Sequence, residues 1–117
     1  MTHITSVLDP VRINQVSEVF KALASPARVA IVMALAEQEM SVNELVDMLA
    51  RLDCPCSFER TNISKHLAVL REAGIVSCIE DAQRRLYRLE ARCLLRAISC
   101  TVQLANSRTV AVGRSKS

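Results

Sequence analysis

Helix-breaking residues are scarce in this chain: two glycines and three prolines in 117 residues. Gly and Pro are the strongest local punctuators of backbone structure. Their scarcity predicts a mostly helical architecture whose breaks fall at those few points. Ser25-Pro26 is one such point. The serine can cap a helix, and the proline fits a first turn, where no backbone donor is needed. Gly74 is another, placed to end a helix.

The apolar spacing fills in the elements between the breaks. Residues 10–24 carry Val16, Val19, Phe20 and Leu23 at helical spacing. Residues 26–36 are apolar on most sides (Val29, Ile31, Val32, Ala34, Leu35), which predicts a helix in the middle of the domain. Ser41-Val42-Asn43-Glu44 has the form of a capping box and opens a helix with Val42, Leu45, Val46 and Leu49 on one face. A break around 53–58 holds Pro55 and two cysteines. A fourth helix follows over 59–73, with Ile63, Leu67 and Leu70 inward. Residues 75–80 and 85–89 read as two short strands, with 81–84 as a polar hairpin tip. A last helix is expected over 91–105, a loose leader over 1–9 and a disordered Ser/Arg/Lys-rich tail over 106–117. The fold class is thus mainly α with a small β-hairpin, in the order ααααββα, forming one domain over 10–105.

Half of the chain is hydrophobic, with no Trp, one Tyr and two Phe, which suits one modest aliphatic core. No apolar run approaches the roughly 18 residues of a membrane span, and the N-terminus lacks a signal-peptide pattern. A cytoplasmic location and no membrane partner are expected, with the five cysteines held as thiols. Charge is split unevenly. Residues 1–59 hold four Lys/Arg against eight Asp/Glu, and residues 60–117 hold eleven against four. The basic second half suits either a polyanion or an ordinary solvated surface.

The run Thr61-Asn62-Ile63-Ser64-Lys65-His66-Leu67-Ala68-Val69-Leu70-Arg71-Glu72-Ala73-Gly74 would by itself suit an ordinary surface helix, and its setting is what decides between them. With Ile63, Leu67 and Leu70 buried, helical geometry turns Thr61, Ser64, Lys65 and Ala68 to the other side. These short, polar or basic side chains can approach base edges in a major groove. Arg60 and Thr61 stand in the first turn, where free backbone donors favour phosphate. A capped helix precedes this one, and a hairpin bearing Arg84, Arg85 and Arg88 follows.

That setting resembles the ArsR/SmtB family of metal- and redox-responsive repressors. Residues 19–28 look like the family's opening segment, 41–49 like the first helix-turn-helix helix, 61–76 like the recognition helix and first wing strand, and 86–89 like the returning strand. The resemblance covers about residues 16–104. It implies a winged helix-turn-helix homodimer joined by its first and last helices. It also implies two recognition helices in successive major grooves of an inverted repeat of double-stranded operator DNA. Carried over, Arg60, Thr61, Ser64 and Lys65 contact or position on bases, and Arg84 and Arg85 contact phosphate or the minor groove. Arg88 is set apart, because strand alternation points it elsewhere. His66 is expected to be structural or phosphate-contacting rather than a metal ligand, and Arg28 and Arg71 to be helix-surface ion-pair partners.

The cysteines depart from the family's pattern. Some relatives hold arsenic with a Cys-x-Cys at the start of the first helix-turn-helix helix, where this chain has Ser41 and Asn43. Others hold zinc through Asp, His and Glu in the last helix, which here contains no His. Instead Cys54-Pro55-Cys56 lies in a turn longer than the family's usual one. Two thiols flanking one proline can face a soft ion such as As(III), Sb(III), Cu(I) or Cd(II). Cys93 and Cys100 share a stripe with Ala97 and Leu104, as a dithiol site facing the partner helix or as packing. Cys78, in a strand, is read as packing. No cofactor is obligatory; As(III), Sb(III) or another soft ion is the expected inducer, with Cys54, Cys56, Cys93 and Cys100 as candidate ligands. A disulfide or persulfide switch is the alternative.

No nucleophile–base pair or Gly-rich phosphate loop is present, so an enzyme is not expected. A small redox or metal-relay protein would leave the basic half and the arginine-rich hairpin unexplained; a winged-helix module for protein contacts is a further alternative, and a steep salt dependence of DNA affinity would speak against both.

Overall fold

The computed structural model describes residues 9–52 and 60–116, with Arg60 and residues 108–116 described by their backbone alone. Five helices and one hairpin follow in the expected order: α1 (Pro10–Leu23), α2 (Pro26–Glu37), α3 (Val42–Ala50), α4 (Arg60–Glu72), β1 (Val76–Asp81), β2 (Arg84–Leu89) and α5 (Leu94–Lys116).

Local chemistry sets most of the boundaries. Asp9 accepts from the Val11 amide at 3.1 Å and caps α1. Ser25 caps α2 with Pro26 at its first position. The capping box is complete: Ser41 Oγ accepts from the Glu44 amide at 3.2 Å, and Glu44 Oε1 accepts from the Ser41 amide at 3.0 Å. Helix α4 ends in a Schellman arrangement, with the Gly74 amide donating to the Arg71 carbonyl and the Ile75 amide to the Leu70 carbonyl. Gly74 has φ +79°, the left-handed region that glycine enters at least cost. Leu70 and Ile75 are both buried beside this turn.

The core is built by α2, α3, α4 and the hairpin. Ile31, Val32, Leu45, Ile63, Leu67 and Leu70 are wholly buried. Each such side chain contributes about 1.5–3 kcal/mol relative to exposure. As its all-round apolar sequence requires, α2 lies against the rest. Helix α1 differs from the simplest expectation: Val19 and Leu23 pack on the core, whereas Val16 and Phe20 point outward, Phe20 being 61% exposed. Helices α1 and α2 meet at 89°, so the far face of α1 has no core to cover it.

The hairpin is antiparallel, with Cys78 opposite Tyr87, Glu80 opposite Arg85 and Asp81 opposite Arg84. Both strands run one residue closer to the tip than expected, leaving a two-residue turn of Ala82 and Gln83, with Ala82 at φ +57°. Met40 pairs with Tyr87 through two backbone hydrogen bonds of 2.8 and 3.1 Å, tying the wing to the segment before α3.

Helix α5 also runs beyond expectation. Its backbone is helical from Leu94 to Lys116, through the segment expected to be a disordered tail from Asn106. No proline interrupts it, and one internal glycine at 113 costs a helix only about 1 kcal/mol. Leu94, Leu95 and Ile98 pack on the core; beyond them residues 99–107 are exposed. Among the described residues no single helix is long and apolar enough to cross a membrane.

Candidate nucleic-acid interface

Helix α4 separates its two faces as its spacing requires. Ile63, Leu67 and Leu70 are buried, while Thr61, Ser64, Lys65 and Ala68 are exposed together on the opposite side. The expected contact residues Thr61, Ser64 and Lys65 therefore share one solvent-facing surface. The Arg60 side chain lies outside the described residues.

One cleft, of about 430 Å³, joins this helix to the wing. It is lined by Ser41, Val42 and Asn43 of the α3 start, Ser64 of α4, and Gln83, Arg84, Arg85 and Tyr87 of the hairpin. Both candidate wing arginines thus line a groove that Ser64 of the recognition helix also borders. Hydrogen bonding to Cys78, in the first place, holds the Arg85 guanidinium above its ordinary pKa, with the Glu80 carboxylate opposite it in the hairpin acting in the same direction. Arg84 is bonded through Nη2 to Glu44 Oε1, the same carboxylate that closes the α3 capping box. Hydrogen bonds from the Ser41 backbone and hydroxyl, and then the Arg84 charge, hold Glu44 below the usual carboxylate range. Arg88 turns away from the groove, donating to Glu39 at 2.7 Å with Glu90 at 4.0 Å.

Behind the recognition helix, Arg28 does not form the surface ion pair expected of it. Its Nε donates to His66 Nδ1 at 3.1 Å, and its Nη1 reaches the Lys21 and Ala22 carbonyls at 3.5 and 3.4 Å. One guanidinium therefore joins the end of α1, the start of α2 and the middle of α4. Accepting at Nδ1 requires a neutral imidazole protonated at Nε2. Burial first, and the Arg28 charge second, lower the His66 pKa and favour that form. His66 is thereby committed as a structural acceptor. The sequence offered no signal for this contact, because 38 residues separate the partners.

Of the candidate metal ligands, Cys93 and Cys100 are free and exposed. Cys93 stands in the turn before α5 and Cys100 within the helix, seven residues apart in sequence. Cys54 and Cys56 lie outside the described residues. Among the described residues no group of three or more His, Cys, Asp or Glu is gathered as for a metal ion.

A second surface is apolar. Phe20, Leu23, Ala24, Val29 and Met33 of α1 and α2 face Ala97, Ile98, Thr101, Val102 and Ala105 of α5 across an open groove. Phe20, Met33 and Val102 are at least 46% exposed there.

Comparison with known proteins agrees with this geometry. A helix-turn-helix domain model matches residues 23–79. The crystal structure of Rv0081 from Mycobacterium tuberculosis superposes with a TM-score of 0.69 at 31% identity, covering 89% of this chain and 98% of that one. The chain belongs to the ArsR/SmtB family of winged helix-turn-helix transcriptional regulators. The transcriptional repressor SmtB of M. tuberculosis is 36% identical over 77 residues, 66% of this chain and 52% of its own. A domain from Mycobacterium bovis, described as a homodimeric winged helix-turn-helix DNA-binding domain of a possible ArsR-family regulator, superposes at a TM-score of 0.67. It is 25% identical, with 83% of each chain covered. The chain spans 52 to 60% of the length of SmtB and the first curated relatives it matches.

Proposed function

We propose that this ArsR/SmtB-family chain is a homodimeric repressor that occupies an inverted-repeat operator and leaves it when its thiols bind a soft ion. The observation that carries the reading is the recognition helix. It exposes Thr61, Ser64 and Lys65 together beside a groove walled by Arg84 and Arg85. Short polar side chains suit base edges, and flanking arginines suit phosphate. The apolar groove between α1, α2 and α5 supports the dimer, since patches of this kind on a small domain mark association surfaces. Two copies joined there would present two recognition helices to one face of a duplex.

The repressor role of relatives such as SmtB supports repression by occupancy. As(III) or a related soft ion is the proposed inducer. Cys54 and Cys56 adjoin α4 in sequence, Cys93 immediately precedes α5, and Cys100 stands on α5 beside Thr101, which lines the apolar groove. A site using Cys93 or Cys100 needs thiols from another segment or from the partner. A coupling of about 1–3 kcal/mol between thiols and DNA would loosen the complex roughly 5–150-fold.

The test is fluorescence anisotropy of reduced protein on a duplex that the protein selects from a random library, with arsenite titrated into the preformed complex. Release that disappears in the Cys54→Ser, Cys56→Ser double variant supports the reading. Arsenite-independent binding refutes arsenite as inducer, and release by peroxide or persulfide then assigns a redox switch.

A further inference from the structure

We infer that Glu44 is a positioning residue for DNA binding: it holds the Arg84 guanidinium over the cleft between the wing and the recognition helix. This inference rests on the DNA-binding reading above and names a residue that reading does not use.

Glu44 would be expected to oppose DNA binding, since a carboxylate near a polyanion repels it. Its bonds give it another role. Oε1 accepts from the Ser41 amide at 3.0 Å, which fixes the carboxylate to the first turn of α3, and the same oxygen accepts from Arg84 Nη2. The Arg84 side chain is thereby anchored to a helix terminus 40 residues away. Only one guanidinium nitrogen is used by Glu44. The Arg84 side chain remains 57% exposed and lines the cleft with Ser64 and Arg85. Its unused donors are therefore available on the side where the expected contact residues stand.

An arginine free in solvent loses side-chain rotamer entropy when it is fixed on a phosphate. Anchoring it beforehand removes part of that cost. As an exposed pair, Glu44–Arg84 contributes little to folding, so its main consequence falls on the bound state. Glu39 does the corresponding work for Arg88, away from the groove.

The experiment is a double-mutant cycle of Glu44→Gln and Arg84→Ala, read as affinity for the library-selected duplex at several salt concentrations. Glutamine still satisfies the capping box, and thermal melts of the free variants check that the fold is kept. The expected result is an affinity loss of about 3- to 10-fold for Glu44→Gln that vanishes in the Arg84→Ala background. Arg84→Ala alone should lower the salt slope by about one. Equal or tighter binding by Glu44→Gln overturns the inference, as does the same loss in both backgrounds. Failure of the wild-type protein to select or bind any duplex would instead overturn the DNA-binding reading itself.

Discussion

Replacing Arg28 with methionine isolates the clasp behind the recognition helix. Methionine keeps an unbranched stem and removes every donor. The bond lost to His66 is 3.1 Å long and made by a charged donor, a class that contributes about 1.5–3 kcal/mol. The two carbonyl contacts, at 3.4 and 3.5 Å, lie at the outer edge of hydrogen-bonding distance and add little. A loss of about 2 kcal/mol is expected, or roughly 10 °C in Tm for a domain of this size. The pH dependence gives an independent reading. Burial and then Arg28 lower the His66 pKa from 6.5, so above that value the imidazole is neutral in both folded and unfolded chains. Below it the unfolded chain takes up the proton more readily. Stability therefore falls as pH drops from about 6.5 through the lowered folded value. In Arg28→Met the charge contribution is gone, the folded pKa moves back toward 6.5, and the loss between pH 7.5 and 5.5 shrinks. Urea unfolding at both pH values and one fixed protein concentration, with circular dichroism as the probe, measures both effects. A change under 0.5 kcal/mol at pH 7.5, or an undiminished pH dependence, would refute the reasoning.

Three further substitutions test other parts of the account. Gly74→Ala should cost about 1 kcal/mol in the same urea assay. At φ +79° the backbone disfavours a Cβ, although nothing within 4 Å would meet it, so the cost is conformational rather than steric. Phe20→Lys, at a 61% exposed position in the apolar groove, should leave the helical signal intact and shift sedimentation from dimer toward monomer; an unchanged dimer would place the interface elsewhere. Lys65→Gln should weaken binding to all duplexes alike and lower the salt slope by about one if the ammonium contacts phosphate. A selective loss on the chosen duplex would instead assign Lys65 to a base.

The fold was legible because its determinants are local. Ser25-Pro26, the Ser41–Glu44 box and Gly74 mark helix ends within a few residues of the groups they bond, and Ile63, Leu67 and Leu70 reveal the buried face of α4 by spacing alone. The outward stripe of α1 was legible as apolar but not as exposed, because spacing does not say whether a face meets the core or a second chain. The end of α5 was misplaced for a related reason. A polar composition after Asn106 removes the core-facing stripe without supplying a helix stop. Contacts between distant segments left no trace in the sequence. Arg28 with His66, Arg84 with Glu44, Arg88 with Glu39 and the Met40–Tyr87 bridge each join positions at least 38 residues apart. These contacts distinguish Arg84 and Arg85 at the groove from Arg88 outside it.

The central claim is that the exposed face of α4 reads DNA. Its most direct test is the affinity of reduced protein for its library-selected duplex between 50 and 200 mM salt, compared with a Thr61→Ala, Ser64→Ala, Lys65→Ala variant. The account predicts a fall of about three orders of magnitude over that range for the wild-type protein, as displaced counterions require, and loss of preference for the selected duplex in the variant. An affinity indifferent to salt, or a variant that retains the preference, would contradict it.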